Sequence, residues 1–201
     1  MANGTLKVSN IETSSGSGTI TIGQSGETVT IPSGCTFTNS GTATGFGGIT
    51  EFDIHRLTAT ITADTDPITS NIERVDDATF SKIGTGVSQS SGVWSFPSTG
   101  LYQVGHVGQC YPAAGDNVGF DIYATADNGS NWDQIVQSSF ANGSSRTSGS
   151  VTNFSLVNVT DVSNVKVKFA TSSFASGSEI NGDTDRNVTI FFFMRVGDSQ
   201  W

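Results

Sequence analysis

The sequence predicts an all-β protein, and three observations support that fold class. Apolar and polar residues alternate with a period of two in many short segments, which is the pattern of a half-buried strand. Threonine, valine and isoleucine are abundant beside 13 phenylalanines, and such residues favour pleated strands. Turn residues separate the longer segments at intervals of about ten residues, which is typical of a sandwich or jelly roll. We therefore predict a short N-terminal β arm followed by a jelly-roll sandwich.

The composition excludes several classes of partner. Acidic residues number 18 against 9 basic ones, a formal charge of −9, so the phosphate backbone of a nucleic acid is a poor partner. The longest apolar stretch, Ile190 to Met194, is far shorter than the roughly 18 residues of a membrane helix. The opening MANGTLKV has one lysine and lacks the apolar segment of a secretion signal. We expect no nucleic-acid partner, no membrane insertion and synthesis in a cytoplasm.

Residues 1–48 form the predicted N-terminal arm, in which short alternating units repeat. From Thr19 the chain reads TITIGQSGE, TVTIPSG and CTFTNSG, and each unit is closed by glycine. The apolar members of each unit fall on one face: Ile20 and Ile22, Val29 and Ile31, Cys35 and Phe37. Because so short a β piece is marginal in water, these strands need neighbours stacked on them or supplied by other chains. The alternative is a flexible Ser- and Gly-rich tail.

A further alternating segment precedes these repeats. Leu6, Val8 and Ile11 are its apolar members, and polar residues separate them. A segment of this kind can add a strand to the edge of another protein's sheet. We predict that Leu6, Val8 and Ile11 dock the arm onto a larger assembly.

Residues 49–201 form the predicted head domain, a series of longer strands. The candidates are Ile54 to Ala63, Gly92 to Phe96, Leu101 to Cys110, Val118 to Ala126, Asp133 to Phe140, Val151 to Val159, Val165 to Thr171 and Val188 to Val196. Eight strands is the number in a jelly roll.

The last of these strands is apolar on both faces. It contains the run Ile190-Phe191-Phe192-Phe193-Met194, so both of its faces must be covered. The core of one sandwich covers a single face, and a soluble monomer does not leave the other face in water. We therefore expect an obligate oligomer.

Two segments of the head domain resemble a known family. SGVWSFPSTGLYQVGHVGQC, which spans Ser91 to Cys110, resembles the signature of complement globular-head domains and the wider tumour-necrosis-factor superfamily. In that signature a strand ends in Phe-x-Pro and Gly-Leu-Tyr opens the next. The matching residues are Trp94, Phe96, Pro97, Gly100, Leu101 and Tyr102. The closing strand NVTIFFFMRVGD is also similar to that of the family. Two departures are the extra loop at Asn142 to Gly149 and the polar ending DSQW.

The resemblance implies a homotrimer. Members of that family pack three jelly rolls around a threefold axis, with aromatic side chains against the axis. Carried onto this chain, the implied trimer-interface residues are Tyr102, Phe120, Phe191 and Phe193.

The opening segment carries a second resemblance. MANGTLKVSNIETSSGSGTITIG is similar to the start of virion structural proteins of tailed bacteriophages, particularly those of marine cyanobacterial type. This resemblance implies a virion protein that is assembled in the host cytoplasm and that binds phage capsid or tail proteins.

One short motif has a structural interpretation. Thr125-x-Asp127-x-Gly129-x-x-Trp132 fits the Asp-box, a hairpin turn that is familiar from sialidase propellers and remote from their active site. In such a turn the aspartate caps backbone donors, the glycine takes a left-handed conformation and the tryptophan packs beneath. A single copy does not indicate a hydrolase, so we expect Asp127, Gly129 and Trp132 to form a structural turn.

No residue pattern predicts a metal, a cofactor or an enzyme. Asn181, Asp183 and Asp185 alternate like ligands of a cation loop, but the glycine and the distant glutamate of such loops are missing, which favours a polar loop tip. His55 and His106 each lie within a strand, and we expect core or interface roles, although a threefold axis could bring three copies of His106 together. No nucleophile elbow is present.

Two functional hypotheses follow. In the first, the protein is a non-enzymatic homotrimer on the virion surface, either a capsid decoration or cement protein or a short head or tail fibre. In the alternative, it is a receptor-binding fibre tip that recognises host surface glycans through polar loops such as Asn142 to Gly149.

Overall fold

The computed structural model describes residues 9–14, 18–38 and 48–200. The chain divides into two compact units, Met1–Phe46 and Gly47–Trp201, and every strand of the described residues belongs to the second. No helix occurs in those three ranges, and so none with the length and hydrophobicity to cross a membrane. The predicted all-β fold class is confirmed.

The second unit contains eleven strands in two antiparallel sheets. In chain order they are β1 (Phe52–Leu57), β2 (Ile72–Arg74), β3 (Ser88–Ser90), β4 (Val93–Ser95), β5 (Gly100–Tyr111), β6 (Asn117–Thr125), β7 (Asp133–Ala141), β8 (Gly149–Val159), β9 (Lys166–Ser172), β10 (Glu179–Ile180) and β11 (Ile190–Gly197). The first sheet has the order β8-β5-β11-β1-β2, and β10 pairs with the end of β5. The second sheet has the order β3-β4-β9-β6-β7.

An aromatic core lies between the two sheets. Trp94 from β4 lies 4.9 Å from Phe193 of β11, and Phe169 from β9 lies 4.7 Å from Phe191, measured between ring centroids. Phe120 from β6 packs against the same group with its ring edge toward Phe191. These rings meet edge-to-face or tilted, the arrangements that aromatic pairs prefer. The core therefore uses alternate residues of each strand and fixes which residues face outward.

Every predicted strand is present in the structure. All but the first differ from the prediction only slightly at their ends. Our prediction extends that strand to Ala63, whereas β1 ends at Leu57. Beyond it the chain crosses from one sheet toward the other, with isolated bridges from Ile61 to Ile180 and from Thr65 to Thr171. The alternating pattern after Leu57 thus belongs to a crossing segment. The structure also contains three short strands that the sequence does not reveal, namely β2, β3 and β10.

The described part of the arm differs from the prediction. Residues 9–14 and 18–38 contain turns, closed by hydrogen bonds such as Glu27 N to Gln24 O (3.0 Å), but no strand. The apolar side chains of the repeats remain between 43% and 67% exposed, and they include Ile20, Ile22, Val29 and Ile31. The physical reason is the one that makes short β pieces marginal, since each unit lacks the neighbouring strands that would complete its ladder. The described residues of the arm form no strand in a single chain, and a β arm completed by other chains stays a prediction.

Candidate oligomer interface

The outer face of the first sheet is largely apolar. β5 and β11 alternate strictly, so that Phe191 and Phe193 point into the core while Phe192 points outward. β8 and β1 flank these strands and contribute their own outward residues. The outward apolar side chains of the face are Phe52, Ile54, Leu101, Val107, Phe154, Leu156, Ile190, Phe192 and Met194.

The central row of this face runs across four strands. Phe154 of β8 pairs with Gly105 of β5, Gly105 with Phe192 of β11, and Phe192 with Ile54 of β1. Gly105 has no side chain because the two phenylalanines occupy its space. A Cβ atom at position 105 would overlap the Phe192 ring and lie 2.7 Å from the Cβ of Phe154. The glycine therefore allows the Phe192 ring to lie over the centre of the sheet, next to the Cβ of Phe154.

A second row lies beside the first. Leu156 of β8 pairs with Gln103, Gln103 with Met194, and Met194 with Phe52. Leu156 is 54% exposed and Phe154 is 53% exposed, although both are large and apolar. Large apolar side chains on adjacent rows form a continuous patch, and soluble proteins use such patches to bind other proteins. This surface is the candidate functional site.

A third row of outward residues lies on the other side of the central row, and a buried arginine stands at its end. The row runs from Thr152 through Val107 and Ile190 to Arg56, which is only 2% exposed although it points outward. The Arg56 guanidinium forms ion pairs with three carboxylates: Glu73 (2.6 Å), Asp77 (3.1 Å) and Asp76. The hydrogen bond to Glu73 raises the pKa of Arg56 further, so it stays charged. The apolar patch thus stops at an acidic rim.

The outer face of the second sheet is polar. β6 and β9 turn Asp121, Tyr123, Lys168 and Ser172 outward. Lys168 Nζ lies 2.6 Å from Asp66 Oδ1 and 4.8 Å from the ring centroid of Tyr123, so the aromatic face is covered by a charge. The outer face of the second sheet is therefore polar and well solvated, whereas that of the first sheet is largely apolar.

The four residues that the family resemblance assigns to the trimer interface lie inside the monomer. Tyr102, Phe120, Phe191 and Phe193 are each at most 1% exposed and pack between the two sheets. Tyr102 packs on Phe96 and hydrogen-bonds with the Ser98 hydroxyl at 2.9 Å. These side chains cannot reach a second copy, so the assignment is corrected. On the same strand, Phe192 and Met194 point outward instead.

The two histidines are also internal. His106 stacks on Phe120 at 4.0 Å between ring centroids and is fully buried, so a threefold axis cannot bring its copies together. Burial lowers the pKa of His106 to about 4, which keeps the ring neutral.

His55 belongs to a buried polar cluster. Its Nε2 lies 3.3 Å from Asp53 Oδ2, and Asp53 also accepts hydrogen bonds from Arg74 and from the backbone N–H of Val87. Burial acts to raise the pKa of Asp53, but the hydrogen bonds from His55 and Arg74 outweigh it, and the pKa is lowered. The cluster ties the residues after β2 to β1 and contains no nucleophile.

The structure places Asp127, Gly129 and Trp132 together in the turn between β6 and β7. Asp127 accepts hydrogen bonds from the Thr125 hydroxyl (2.6 Å) and from the Asn131 backbone N–H (2.9 Å). These bonds, that from Thr125 first, lower the pKa of Asp127 to about 2. Gly129 has a φ of +89° and lies against the Trp132 ring. The geometry is that of a structural turn.

Two loops considered for ligands satisfy their own polar groups. In the loop at Asn142 to Gly149, the Asn142 side chain donates to Pro112 O (2.7 Å) and accepts from Thr147 Oγ1 (2.7 Å). In the second loop, Asp183 accepts from the backbone N–H groups of Asp185 and Arg186, which lowers its pKa to about 2. Within the described ranges, no group of three or more histidine, cysteine or acidic side chains could hold a metal ion.

The predicted docking residues fall mostly outside the described residues. Leu6 and Val8 lie there, and the structure tests neither. Ile11 is described and is 59% exposed. Docking through these three residues stays a prediction.

Comparison with known proteins establishes the fold. No family model and no curated protein matches the chain. Among solved structures, Eiger TNF from S. frugiperda is similar with a TM-score of 0.56 and 11% identity, covering 75% of this chain and 94% of that chain. Murine APRIL at pH 5.0 is similar with a TM-score of 0.52 and 9% identity, covering 72% of this chain and 98% of that chain. The chain therefore has a TNF-like jelly-roll fold, as the motifs in Ser91 to Cys110 predict.

A phage protein also aligns with the chain. The PRD1 vertex protein P5 is 18% identical over 76% of this chain and 100% of that chain, but its TM-score of 0.44 is too low to support an inference.

Proposed function

We propose that this chain is a non-enzymatic, homotrimeric structural protein of a phage virion surface, either a capsid decoration or cement protein or a short head or tail fibre. The observation that carries the proposal is the apolar outer face of the first sheet. Phe154 and Leu156 of β8 and Phe192 of β11 lie on either side of β5 there, and a subunit in isolation would leave Phe154 and Leu156 more than half exposed to water. Shared burial among copies removes that surface from water.

The trimer is favoured over other oligomers by the resemblance to the tumour-necrosis-factor superfamily, whose members assemble around a threefold axis. The fold of this chain supports that resemblance. In such an arrangement the outward side chains of β5, β8 and β11 would face the axis. Gly105 would then serve a specific purpose, because it leaves room for the Phe192 ring on that face.

The arm supports attachment to a larger assembly. Ile20, Ile22, Val29 and Ile31 are between 43% and 67% exposed in a single chain and alternate with polar residues. Neighbouring arms or a virion protein could supply the strands that this segment lacks. The opening residues resemble those of phage virion proteins, which is the support for the capsid or tail as the binding partner.

The proposed mechanism is binding alone, without a catalysed reaction. A trimer that binds several neighbouring shell subunits removes apolar surface from water at each contact, and binding to the assembled state stabilises that state by mass action. Such a protein would strengthen the particle against the pressure of packaged DNA.

Sedimentation of the full chain and of a variant that lacks residues 1–18 tests the proposal. We expect both proteins to sediment as trimers at micromolar concentration, because the head carries the apolar face. We expect the full chain alone to be incorporated into phage particles, which immunoblotting of purified particles would measure. A compact, folded monomer of the full chain would contradict the trimer. Incorporation of the shortened variant at full occupancy would contradict docking by the arm.

A further inference from the structure

Asparagine followed by glycine is a reactive pair, because the glycine nitrogen can attack the asparagine side chain. Glycine has no side chain to hinder that attack and adopts the widest range of backbone angles. The chain contains four such pairs: Asn3-Gly4, Asn128-Gly129, Asn142-Gly143 and Asn181-Gly182. The first lies outside the described residues, and the other three lie in connections between strands. The surroundings of these three pairs differ.

The reaction is an intramolecular deamidation that consumes only water. The backbone nitrogen of the glycine bonds to the side-chain carbon Cγ of the asparagine, and the bond from Cγ to Nδ2 breaks. The leaving group takes up the proton of the glycine nitrogen and departs as ammonia, so that a five-membered succinimide ring remains. Water then opens the ring at either of its two carbonyl carbons and gives aspartate or isoaspartate. Ring closure requires an asparagine side chain that can turn toward the glycine nitrogen.

Asn142 is fixed by three hydrogen bonds of its side chain. Its amide nitrogen donates to Pro112 O at 2.7 Å and to Thr147 O at 3.1 Å, and its amide oxygen accepts from Thr147 Oγ1 at 2.7 Å. The residue is also only 9% exposed. Turning the side chain toward Gly143 would break all three bonds and leave buried polar groups without partners, which is costly. We therefore expect the folded chain to protect this pair.

Asn181 is fixed by its own hydrogen bonds and by the packing of its glycine. The backbone N–H and the side-chain amide of Asn181 both donate to Gln109, at 2.9 Å and 3.2 Å. A Cβ atom built on Gly182 would overlap the backbone of Ala59, so the two main chains lie against each other. Movement of the reacting nitrogen would disturb this packing. We expect the folded chain to protect this pair as well.

Asn128 has the fewest restraints of the three. It is exposed in the turn between β6 and β7, and its side chain makes no hydrogen bond with the described residues. One bond opposes the reaction, since the Gly129 N–H donates to Thr125 Oγ1 at 3.1 Å. A single hydrogen bond contributes little net free energy, and exposed turns open locally without unfolding of the core. The nitrogen of Gly129 thus becomes available when one bond opens.

We propose that Asn128 is a site of spontaneous deamidation in the folded protein, whereas Asn142 and Asn181 are protected by their surroundings. The reaction requires no enzyme and no partner. All the groups that control it belong to one turn of one chain, so the proposal does not depend on the trimer or on the virion.

The products would loosen the turn. Either product places a second carboxylate beside Asp127, whose hydrogen bonds, that from Thr125 first, hold its pKa at about 2 and keep it charged. Isoaspartate also lengthens the main chain between the nitrogens of residues 128 and 129. These two N–H groups donate to Asn164 O and Thr125 Oγ1, and a longer chain between them displaces at least one of the two bonds. The connection between β6 and β7 should therefore become less stable.

Peptide mapping by mass spectrometry tests the proposal, with the full chain incubated at mildly alkaline pH. We expect deamidation at Asn128 to be about tenfold or more faster than at Asn142 or Asn181, the factor that corresponds to a difference of about 1.4 kcal/mol. Incubation in guanidinium chloride is the control, because unfolding removes the surroundings and all three pairs should then react at similar rates. Equal rates in the folded chain, or a reaction at Asn128 in guanidinium chloride alone, would overturn the proposal.

A matched variant tests the effect on stability. Asn128→Gln retains an uncharged amide at this exposed position, but the longer side chain cannot close the five-membered ring. Thermal unfolding should show a lower midpoint for the unaltered protein after incubation, and an unchanged midpoint for Asn128→Gln. An equal loss of stability in both proteins would show that a change at position 128 does not loosen the turn.

Discussion

The two sheets of the sandwich share one core, yet their outer faces differ in chemistry. On the first sheet, Phe154, Phe192 and Ile54 form an apolar row whose centre is Gly105. On the second, Ser139, Gly119 and Ser172 form the corresponding row, and its centre is also a glycine. The two glycines make room for different groups, since the Phe192 ring occupies the space over Gly105 and the Ser172 hydroxyl occupies the space over Gly119. The same β geometry therefore produces one apolar surface and one polar surface.

Replacing apolar residues of the first sheet's outer face by charged ones should have the largest effect on the contrast between the two outer faces. Phe154→Asp combined with Leu156→Asp places two charges on the apolar face, and both residues are exposed in the single chain, so folding should be retained. Phe154 and Leu156 are 53% and 54% exposed, so burying the rest of the two side chains would contribute about 1.5 to 3 kcal/mol per subunit, and the proposed trimer should dissociate when charges replace them. Analytical ultracentrifugation would measure this.

The matched control is Gln137→Asp combined with Ser139→Asp, on the exposed residues of the other face. That variant should remain trimeric. Dissociation of the control, or a trimer that survives the change at Phe154 and Leu156, would show that the apolar face is not the interface.

Low pH should reduce the free energy of unfolding, because a histidine is buried in the core between the two sheets. Burial lowers the pKa of His106 to about 4, against 6.5 for an ordinary histidine, so the unfolded chain binds the proton more readily. Stability should be complete above pH 6.5 and fall as the pH drops toward 4, by about 3 kcal/mol in total. Denaturant unfolding at pH 7.5 and pH 4.5, at one protein concentration, would measure it.

His106→Gln should remove most of this dependence, because glutamine does not titrate. Asp53, whose pKa is lowered, adds a loss of stability only below its ordinary pKa of 3.8. A free energy of unfolding that stays constant between pH 6.5 and pH 4.5 in the unaltered protein would contradict a neutral, buried His106.

A methyl group at the centre of the apolar row should have a smaller effect. Gly105→Ala places a Cβ where the Phe192 ring and the Phe154 Cβ already lie, and overpacking of this kind costs about 1 to 3 kcal/mol. Thermal unfolding should show the loss, and self-association should weaken because the two rings are displaced. Gly143→Ala is the control, since a Cβ there meets no atom within 4 Å. Equal stability of the two variants would show that position 105 is not crowded.

Much of the fold could be predicted from the sequence, because β strands with one buried face alternate visibly. β5, β6, β7, β8 and β9 begin and end within two residues of their predicted positions. β2, β3 and β10 have two or three residues each, too few for a period to be recognised. The strand predicted to reach Ala63 failed because a chain that crosses between sheets can alternate as a strand does.

The candidate interface was harder to predict because the two faces of β11 are equally apolar. The run Ile190 to Met194 shows that both faces of β11 are apolar, but alternation alone does not reveal which face is the core. Phe191 and Phe193 were assigned to the wrong side, and Phe192 was omitted. A usable signal was present in Gly105, because a glycine inside a strand indicates close approach of neighbouring groups. The same signal at Gly119 indicates the close approach of the Ser172 hydroxyl.

The position of β8 has a consequence for how the protein must be made and handled. Within the described part of the chain, this strand of 11 residues bonds to β5 on one side and to no strand on the other. The edge that β8 leaves unpaired with any strand is a template on which a foreign strand can add, although the Phe154 N–H already donates to Asn153 Oδ1 at 2.8 Å. A subunit that waits too long for its partners is therefore exposed to aggregation. A high concentration of unassembled subunits should therefore favour precipitation, and rapid assembly during synthesis would protect against it.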